Sequence, residues 1–375
     1  MVRKPEQRIK ELMDSGVNVY SISRLDCINR CLYEAFETYH RGNRGEGNIY
    51  ALCGSKVHDV LEGIVNGSNT KEDLLPAVNT ELDEAEMLGY EFPKMPDGSD
   101  GIRTKWIDDI NHFCTHYEPP KVSDNLSTEE LFIYKSPKGN VLQGYIDLQK
   151  KNKDGSVDIY DYKTSSLYTG NAIKEHGRQL VVYQMGLEQA GVKVNSASWI
   201  FLKYVEIKFK GKKTVKSKEK TEISKVVERC KIGSEMAKYV EQVMIEKGFD
   251  EVDIEVALKD FRTSNSFTSL PEEVEKEFKM LPYICKYEIT DEIKKECEEY
   301  IDDTIEFWES LGSDENEYPP LTFTRQQKNG KMVSDTFYCS KLCAHRKTCR
   351  HLQDYLYQSS FGMDIKTDNE YNDLF

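Results

Sequence analysis

The chain has 375 residues, of which 38% are hydrophobic and 11% aromatic, enough for one large domain or two modest domains with a buried core. Its formal charge of −14 excludes a uniformly basic protein that coats nucleic acid, although a local basic groove is compatible with that charge. No apolar stretch is long enough to span a bilayer, and residues 1–16 lack the apolar run of a secretory signal. We therefore expect a cytoplasmic protein without membrane contact, whose ten cysteines are reduced and serve burial or metal binding.

Helical patterns occupy the first third of the chain. The stretch SISRLDCINRCLYEAFETYH has apolar residues at helical spacing and predicts a helix with Ser23 as its N-cap. The stretch ALCGSKVHDVLEGIV predicts a second helix that carries His58 beside its apolar face. Residues 70–117 are expected to be helical, with a break at FPKMPDGSDG.

Strand patterns begin at Leu131. The stretch LFIYKSPKGNVLQGYIDLQKKNKDGSVDIYDYKT predicts three short strands with turns at SPKGN and NKDGS. HGRQLVVYQMGLEQAG then predicts a helix, and SASWIFLKYVEIKF predicts a further strand. This order indicates a mixed α/β core.

A lysine-rich stretch follows the last of these strands. Residues 203–220 contain eight lysines and two glutamates, which predicts a solvated loop, with contact to nucleic acid as the second interpretation. Residues 221–310 are acidic and are interpreted as helical, forming an insertion or a cap.

Two carboxylates and a lysine are expected to meet on the predicted hairpin. Asp161 and Lys163 are two residues apart and share one face of a strand, and the NKDGS turn can bring Asp147 against that face. Because neighbouring carboxylates repel each other, a hard divalent cation such as Mg²⁺ is expected to neutralise them. Such a cation can activate water and polarise a phosphodiester, with Lys163 stabilising the transition-state charge. The alternative is a surface hairpin with cross-strand ion pairs.

Three further residues bear on this choice. A single helical histidine such as His58 is more often a structural residue than a ligand. Gln179 and Tyr183 are four residues apart on the helix after the hairpin, so they face the same way. Ordinary helix packing accounts well for Tyr183 and less well for Gln179.

The cysteines near the C-terminus have the spacing of metal ligands. CSKLCAHRKTC places Cys339, Cys343 and Cys349 within eleven residues, and a closed site needs a fourth thiolate, from Cys31 or Cys27. The spacing alone allows either zinc or an iron–sulfur cluster. In both cases the site would be structural and would close a loop of nearly the whole chain.

These motifs resemble those of the RecB/AddB-type iron–sulfur branch of the PD-(D/E)xK nuclease superfamily, which includes CRISPR-adaptation exonucleases and phage RecB-like exonucleases. VYSISRLDCINRCLYEAF is similar to the family's opening, GSKVHDVLE to its G-x-x-x-H helix, GYIDLQ to its G-x-[IV]-D strand and IYDYKTSS to its [DE]-x-K strand. RQLVVYQ is similar to its Q-x-x-x-Y helix, and YPPLTF with CSKLCAHRKTC to its terminal cysteine cluster. The family usually has C-x₂-C-x₅-C, whereas this chain has C-x₃-C-x₅-C.

The resemblance implies a restriction-endonuclease-like core and a role for each motif residue. It implies catalytic roles for Lys163 and the two aspartates, supported by Gln179 and Tyr183. The implied ligands of Mg²⁺ or Mn²⁺ are His58, Asp147, Asp161 and the Tyr162 carbonyl. The implied ligands of a [4Fe–4S] cluster, with zinc as the alternative, are Cys31, Cys339, Cys343 and Cys349.

Four regions follow from this interpretation. They are an N-terminal helical region (1–120) that contributes Cys31 and His58, the nuclease core (121–209), a helical insertion or cap (210–288), and a C-terminal helix and cluster region (289–375).

The implied function is a metal-dependent DNA exonuclease that acts on DNA ends or single strands in replication, recombination or repair. A helicase, recombination or CRISPR-adaptation protein is the implied partner, and a bacterial, archaeal or infected host cell is the implied setting. The alternative is a nuclease-inactive DNA-binding or scaffolding subunit of a recombination or CRISPR-adaptation complex.

Overall fold

A computed structural model describes residues 6–120, 125–211 and 221–360. The α-helices of these ranges are α1 (Gln7–Asp14), α2 (Ile22–Arg30), α3 (Leu32–Ala35), α4 (Ile49–Asn66), α5 (Lys71–Met87), α6 (Gly101–His116), α7 (Asn171–Gln189), α8 (Ile232–Lys247), α9 (Glu251–Ser264), α10 (Glu272–Glu275), α11 (Asp291–Ser310) and α12 (Arg350–Ser360). The strands are β1 (Val19–Tyr20), β2 (Leu126–Ser127), β3 (Glu130–Lys135), β4 (Val141–Ile146), β5 (Leu148–Lys151), β6 (Val157–Lys163), β7 (Val194–Lys210), β8 (Glu222–Glu228), β9 (Phe278–Lys286), β10 (Thr324–Gln326) and β11 (Met332–Ser334). Within these ranges, no helix combines the length and the apolar character that a membrane crossing requires.

A six-stranded mixed sheet forms the centre of the fold. Its strands follow the order β2-β5-β6-β7-β8, and β9 pairs with the other edge of the long strand β7. Strands β6 and β7 run parallel, and the other pairs in this sheet are antiparallel. A smaller sheet has the order β1-β4-β3. The predicted α/β fold, with a mixed sheet flanked by helices as in restriction endonucleases, is confirmed.

Helices cover both faces of the central sheet. On β6, Ile159 packs into a core with α2, α7 and α11. Tyr162, three residues later and on the other face of the strand, packs into a second core with α4, α5 and α6. Because strand side chains alternate between faces, Asp161 and Lys163 lie on the α7 side. A third core joins the far half of β7 to β8, β9 and the helices α8 and α9.

Helix α7 approaches the smaller sheet closely because two glycines leave room for one ring. Phe132 on β3 pairs with Gly144 on β4 and is 4% exposed. A Cβ atom at Gly144 would lie 2.7 Å from Phe132 Cε1, and one at Gly186 of α7 would lie 2.7 Å from Phe132 Cδ2. The glycine of the GYIDLQ motif therefore permits the packing that brings α7 against the strands of the candidate site.

The first predicted helix is correct in position but differs in its start and its length. Ser21, not Ser23, is the N-cap, since the side chain of Ser21 accepts a hydrogen bond from the Arg24 N–H at 3.2 Å. Helix α2 ends at Arg30, and Cys31 adopts an extended conformation with φ −153° and ψ 105°. A single π-helical turn at Phe36–His40 follows α3.

The lysine-rich stretch is not a loop over its first eight residues. Residues 203–210 belong to β7, and Lys203 is only 1% exposed. Its ammonium lies 3.8 Å from Asp109 Oδ2 and 4.0 Å from Glu228 Oε1, so a buried ion-pair cluster replaces the predicted solvated surface. Residues 212–220 lie outside the described residues.

Residues 221–310, the acidic region after the lysines, were predicted to be helical. This prediction is wrong for two segments, which form the strands β8 and β9. Strand β8 pairs with β7 from Tyr204 to Lys210, and β9 pairs with the opposite edge of β7. Pro282 lies within β9 opposite Val205, where the register shifts. A proline argues against a strand in sequence reasoning, and here a register shift accommodates it.

We predict that Gly144→Ala destabilises the protein by about 1–3 kcal/mol, because the new methyl group would overlap the Phe132 ring. Backbone propensity alone predicts the opposite sign, since glycine within a strand is unfavourable. Denaturant unfolding of Gly144→Ala, Phe132→Leu and the double variant measures the effect. The glycine substitution should cost less free energy in the Phe132→Leu background, and equal costs in both backgrounds would contradict the proposed packing.

Candidate active site and cysteine cluster

The β5–β6 hairpin places the two predicted aspartates across from each other. Leu148 pairs with Tyr160, so continuing the antiparallel register by one residue sets Asp147 opposite Asp161. Asp147 is the residue at which the chain leaves β4 in the smaller sheet and enters β5 in the central sheet. The single strand predicted for GYIDLQ is therefore divided at its aspartate.

Asp147 is held by a backbone donor and by the predicted histidine. Its Oδ2 accepts the Tyr162 N–H at 2.9 Å and lies 3.3 Å from His58 Nδ1 of α4. Burial alone would raise the pKa of Asp147, but the hydrogen bond and charge of His58 hold that pKa below its usual value. Burial also lowers the pKa of His58, and Asp147 outweighs burial so that the pKa is raised. The two side chains therefore stabilise each other through charge and a hydrogen bond.

Asp161 and Lys163 form the second pair of the site. Asp161 is 1% exposed, and its Oδ2 lies 2.6 Å from Lys163 Nζ. Burial raises the pKa of Asp161, and Lys163 only partly compensates. Although the two atoms are close, this Oδ2 has no hydrogen bond of good geometry. This oxygen is engaged with the ammonium, and the remaining lone pairs of the carboxylate can bind a second cation.

A hydrogen-bond chain from α7 fixes the lysine. Lys163 Nζ donates to Gln179 Oε1 at 2.9 Å, and Gln179 Nε2 donates to the Tyr183 hydroxyl at 2.6 Å. Burial tends to lower the pKa of Lys163, but the neighbouring Asp161 outweighs burial and raises that pKa. Lys163 therefore carries its charge in a fixed position.

His58 and Lys163 line one cleft of about 440 Å³, together with residues of α4 and of the segment after β6. Asp147 and Asp161 are not among its lining residues and adjoin it through their partners His58 and Lys163. The structure brings His58 to Asp147 and Lys163 to Asp161. In the part of the chain that the structure describes, the ligand atoms of His58, Asp147 and Asp161 do not all lie within 4.8 Å of one another, because Asp161 is turned towards the lysine.

Sequence reasoning missed four other residues of the cleft: Tyr50, Glu129, Thr164 and Tyr168. Thr164 follows the lysine directly in DYKTSS, and this adjacency was an available signal. It lies close to Gly54, where a Cβ atom would come 3.1 Å from Thr164 Oγ1, which explains the glycine of the GSKVH motif. Glu129 has a positive φ of 54°, for which the sequence gives no signal.

The four predicted cluster cysteines come from both ends of the chain and lie near one another. Burial, together with the nearby thiols of Cys31 and Cys349, raises the pKa of Cys339 to about 12. Burial also raises the pKa of Cys343, to which Cys31 and Cys339 contribute. Of the two candidates for the fourth thiol, Cys31 lies beside the C-terminal cysteines, whereas Cys27 packs in the core with α2, α7 and α11.

Backbone N–H groups point at two of these sulfurs. Cys31 Sγ accepts from the Leu321 N–H at 3.3 Å and from the Glu34 N–H at 3.5 Å. Cys343 Sγ accepts from the His345 N–H at 3.4 Å. Such donors favour the thiolate, which is the form that binds metal.

Polar contacts join the same chain ends around the cysteines. The Tyr338 hydroxyl donates to both oxygens of Glu34, at 3.0 and 2.9 Å, and Thr38 Oγ1 lies 3.0 Å from His345 Nε2. Asn48 Nδ2 donates to the Leu342 carbonyl at 2.8 Å. The region around the four cysteines therefore joins the N-terminal helices to the C-terminal segment, and we call it the cysteine junction.

A different trio has ligand atoms within 4.8 Å of one another, namely Asp109, Glu228 and Cys230. Burial raises the pKa of Asp109 to about 6, with Lys203 opposing. Besides Lys203, Glu228 contacts Lys105 at 3.1 Å and Lys231 at 2.9 Å. Because lysines already balance these carboxylates, the trio is an ion-pair network that ties β7 and β8 to α6.

Comparison with known proteins identifies the family. Residues 19–350 match the sequence model of the PD-(D/E)XK nuclease superfamily, and this range contains every candidate site residue named above. No curated protein matches the chain significantly. The matched range is most of the chain, and the superfamily indicates a nuclease. The chain therefore belongs to the PD-(D/E)XK nuclease superfamily.

Proposed function

We propose that the protein is a Mg²⁺- or Mn²⁺-dependent DNA exonuclease that hydrolyses phosphodiester bonds at DNA ends or in single strands, in replication, recombination or repair. The observation that carries the proposal is the pairing of Asp147 with His58 and of Asp161 with Lys163 at the β5–β6 hairpin, with His58 and Lys163 lining one cleft. Superfamily membership supports the reaction class.

The residues of the cleft suit a hard divalent cation. Asp147, Asp161 and the Tyr162 carbonyl would supply oxygen ligands, and His58 an imidazole nitrogen. The burial of Asp161 beside Asp147 supports this assignment, because a bound cation would balance the second carboxylate. When bound, the cation supplies Lewis-acid polarisation of the phosphodiester and neutralises its charge.

The protein's own part of the reaction is positioning and charge. Lys163 remains protonated and can donate to the attacking water or to a phosphate oxygen as negative charge develops. Gln179 holds the ammonium in place, and Tyr183 holds Gln179. Both act through the lysine and are positioning residues.

Action on single strands or ends is supported by the lining of the cleft. Tyr50 and Tyr168 offer aromatic surfaces on which unpaired bases can stack. The lysines from Lys208 to Lys220 can attract the phosphate backbone. A nuclease-inactive DNA-binding subunit has less support, since an idle site has no need of the Lys163–Gln179–Tyr183 chain.

We propose a [4Fe–4S] cluster at Cys31, Cys339, Cys343 and Cys349, as in the RecB/AddB-type branch. A mononuclear zinc site with Zn–S bonds of about 2.3 Å brings its sulfurs to about 3.8 Å of one another. Among the described residues, no three of these thiols lie within 4.8 Å of one another. This arrangement is compatible with a cluster of several metal ions, and the resemblance to the RecB/AddB-type branch is what favours iron over zinc. The cluster is structural, because its cysteines join the chain ends and none of them lines the cleft.

We predict that Asp161→Asn lowers the rate of DNA cleavage by about 10³-fold or more, because it removes a carboxylate ligand and the partner of Lys163. End-labelled single- and double-stranded DNA, incubated anaerobically with Mn²⁺ with and without chelator, measures the rate. Asp158→Asn on the same strand is the matched control, because Asp158 bonds Asn195 and Ser196 away from the cleft. Normal cleavage by Asp161→Asn, with a circular dichroism spectrum like that of the unaltered protein, would refute the site.

We predict that Gln179→Leu lowers kcat by about 10–100-fold with a smaller effect on KM, because Lys163 loses its anchor. Tyr183→Phe, which leaves Gln179 in place, should have a weaker effect. Gln184→Leu, on the exposed side of the same helix, should leave kcat unchanged. A kcat for Gln179→Leu equal to that of Gln184→Leu would exclude the positioning role.

We predict that anaerobically purified protein is brown, absorbs near about 400 nm and contains about four iron atoms per chain. Cys349→Ser and Cys31→Ser should lose the absorbance, and Cys285→Ser on β9 should keep it. Metal analysis distinguishes the outcomes, because colourless protein with about one zinc per chain would establish zinc instead.

A further inference from the structure

A second concave site lies beside the cleft, on the α6 side of the central sheet. It is a cavity of about 380 Å³, within the range of small-ligand sites. Its floor includes Lys150 of β5, Tyr160 of β6 and Tyr204 of β7, and Phe113 of α6 and Tyr117, which directly follows α6, contribute to its wall. Most of the lining is apolar or aromatic, which suits a planar ring.

One buried cation lines this cavity without a direct ion pair, although the charge of Asp109 acts on it from a greater distance. Arg229 is 5% exposed, and its hydrogen bonds go to neutral atoms, from Nε to the Leu202 carbonyl at 2.7 Å and between Nη1 and His112 Nδ1 at 3.2 Å. Across the described ranges, no carboxylate oxygen lies within 4.0 Å of its guanidinium. Burying a charge without a partner is costly, so an anionic ligand would be stabilised here.

The other charged groups of the lining also favour an anion. Lys150 lines the cavity together with Arg229, and Glu118 is the acidic residue that lines it. Glu118 is exposed and pairs with Lys71 at 2.8 Å, so its charge is directed away from the cavity. The ligand indicated is therefore an aromatic ring with a negative group, as in a nucleotide.

The cavity and the cleft are neighbours along one short segment. Tyr162 lines both of them. Leu126 lines the cavity, and Glu129, three residues later, lines the cleft. A strand that places one phosphate in the cleft can therefore reach the cavity with a nearby nucleotide.

We propose that this cavity binds one nucleotide of the single DNA strand that the cleft cuts, with the base among Tyr160, Tyr117 and Tyr204 and a phosphate facing Arg229 and Lys150. The proposal rests on the proposed nuclease function and adds a subsite to it. Stacking on tyrosines does not depend on base identity, which suits an enzyme that degrades any sequence.

The test measures binding separately from cleavage. Asp161→Asn protein, in Mg²⁺, is titrated with fluorescent single-stranded oligonucleotides in which one abasic residue is moved along the strand. We expect Tyr160→Leu to raise Kd about tenfold and Tyr160→Phe, which keeps the ring, to change it less than about twofold. Lys150→Met should weaken binding and reduce its salt dependence, whereas Lys151→Met, exposed on the other face of β5, should do neither.

The position of the abasic residue gives the sharper readout. At one position of the strand, the abasic residue should raise the Kd of the Asp161→Asn protein by the same factor as the Tyr160→Leu substitution does. When the Tyr160→Leu substitution is also present, the same abasic residue should have no further effect on Kd, because both changes remove the same contact. Binding that is indifferent to Tyr160 and to every abasic position would overturn the subsite, whatever the cleavage assay shows. A Tyr160-dependent site that takes a free nucleoside monophosphate but no oligonucleotide would also overturn it.

Failure of the nuclease proposal has a different signature. Protein with intact Asp161 would then leave DNA uncut, while the Tyr160-dependent and abasic-sensitive binding would persist and would support the subsite as part of a DNA-binding surface.

Discussion

Two aspartates on neighbouring strands repel each other, and the cations that relieve this repulsion come from opposite faces of the sheet. His58 reaches Asp147 from α4, and Lys163, held by Gln179 of α7, pairs with Asp161. Charge balance at the hairpin therefore requires both helical layers to be in place. Small residues beside the site make this arrangement possible. Because Gly144 and Gly186 have no side chain, the Phe132 ring fits between them and α7 packs closely on the smaller sheet. The cleft is therefore preorganised only when both cores are packed.

The cysteine junction extends this dependence to the ends of the chain. Cys339 and Cys343 are separated by one residue more than in the RecB/AddB-type branch that the motifs resemble. The structure absorbs the extra residue in a π-helical turn at Tyr338–Leu342, closed by the Cys343 N–H bonding to the Tyr338 carbonyl at 2.8 Å. Such turns correspond to a single inserted residue and are frequent at functional sites. The altered spacing is therefore compatible with the same set of thiols.

Local periodicity was sufficient to predict the hairpin, α7 and the adjacency of Gln179 and Tyr183, because alternation and four-residue spacing fix which side chains share a face. It could not predict that Asp147 lies where the chain passes between two sheets, since this depends on pairing with β1 and β3 on one side and β6 on the other. Lys203 was misjudged for a similar reason. Only the tertiary fold brings Asp109 and Glu228 to it, and without them a lysine in a basic run indicates solvent. Strand β9 was not predicted either. It contains Pro282, which argues against a strand unless the register shifts, as it does here.

The charge distribution explains how so acidic a protein can act on a polyanion. At the cleft, Asp59 and Glu129 add to the negative charge of the two aspartates, and Lys163 is already engaged with one of them. A phosphodiester would be repelled from this surface unless further positive charge accompanied it. Substrate binding and cation binding at the cleft are therefore expected to be mutually dependent. The neighbouring cavity has the opposite balance, because Arg229 and Lys150 line it and, among the described residues, Arg229 makes no direct ion pair. A DNA strand lying across both sites would be bound at the cavity without the cation. Binding of the DNA and its cleavage would then depend on different residues.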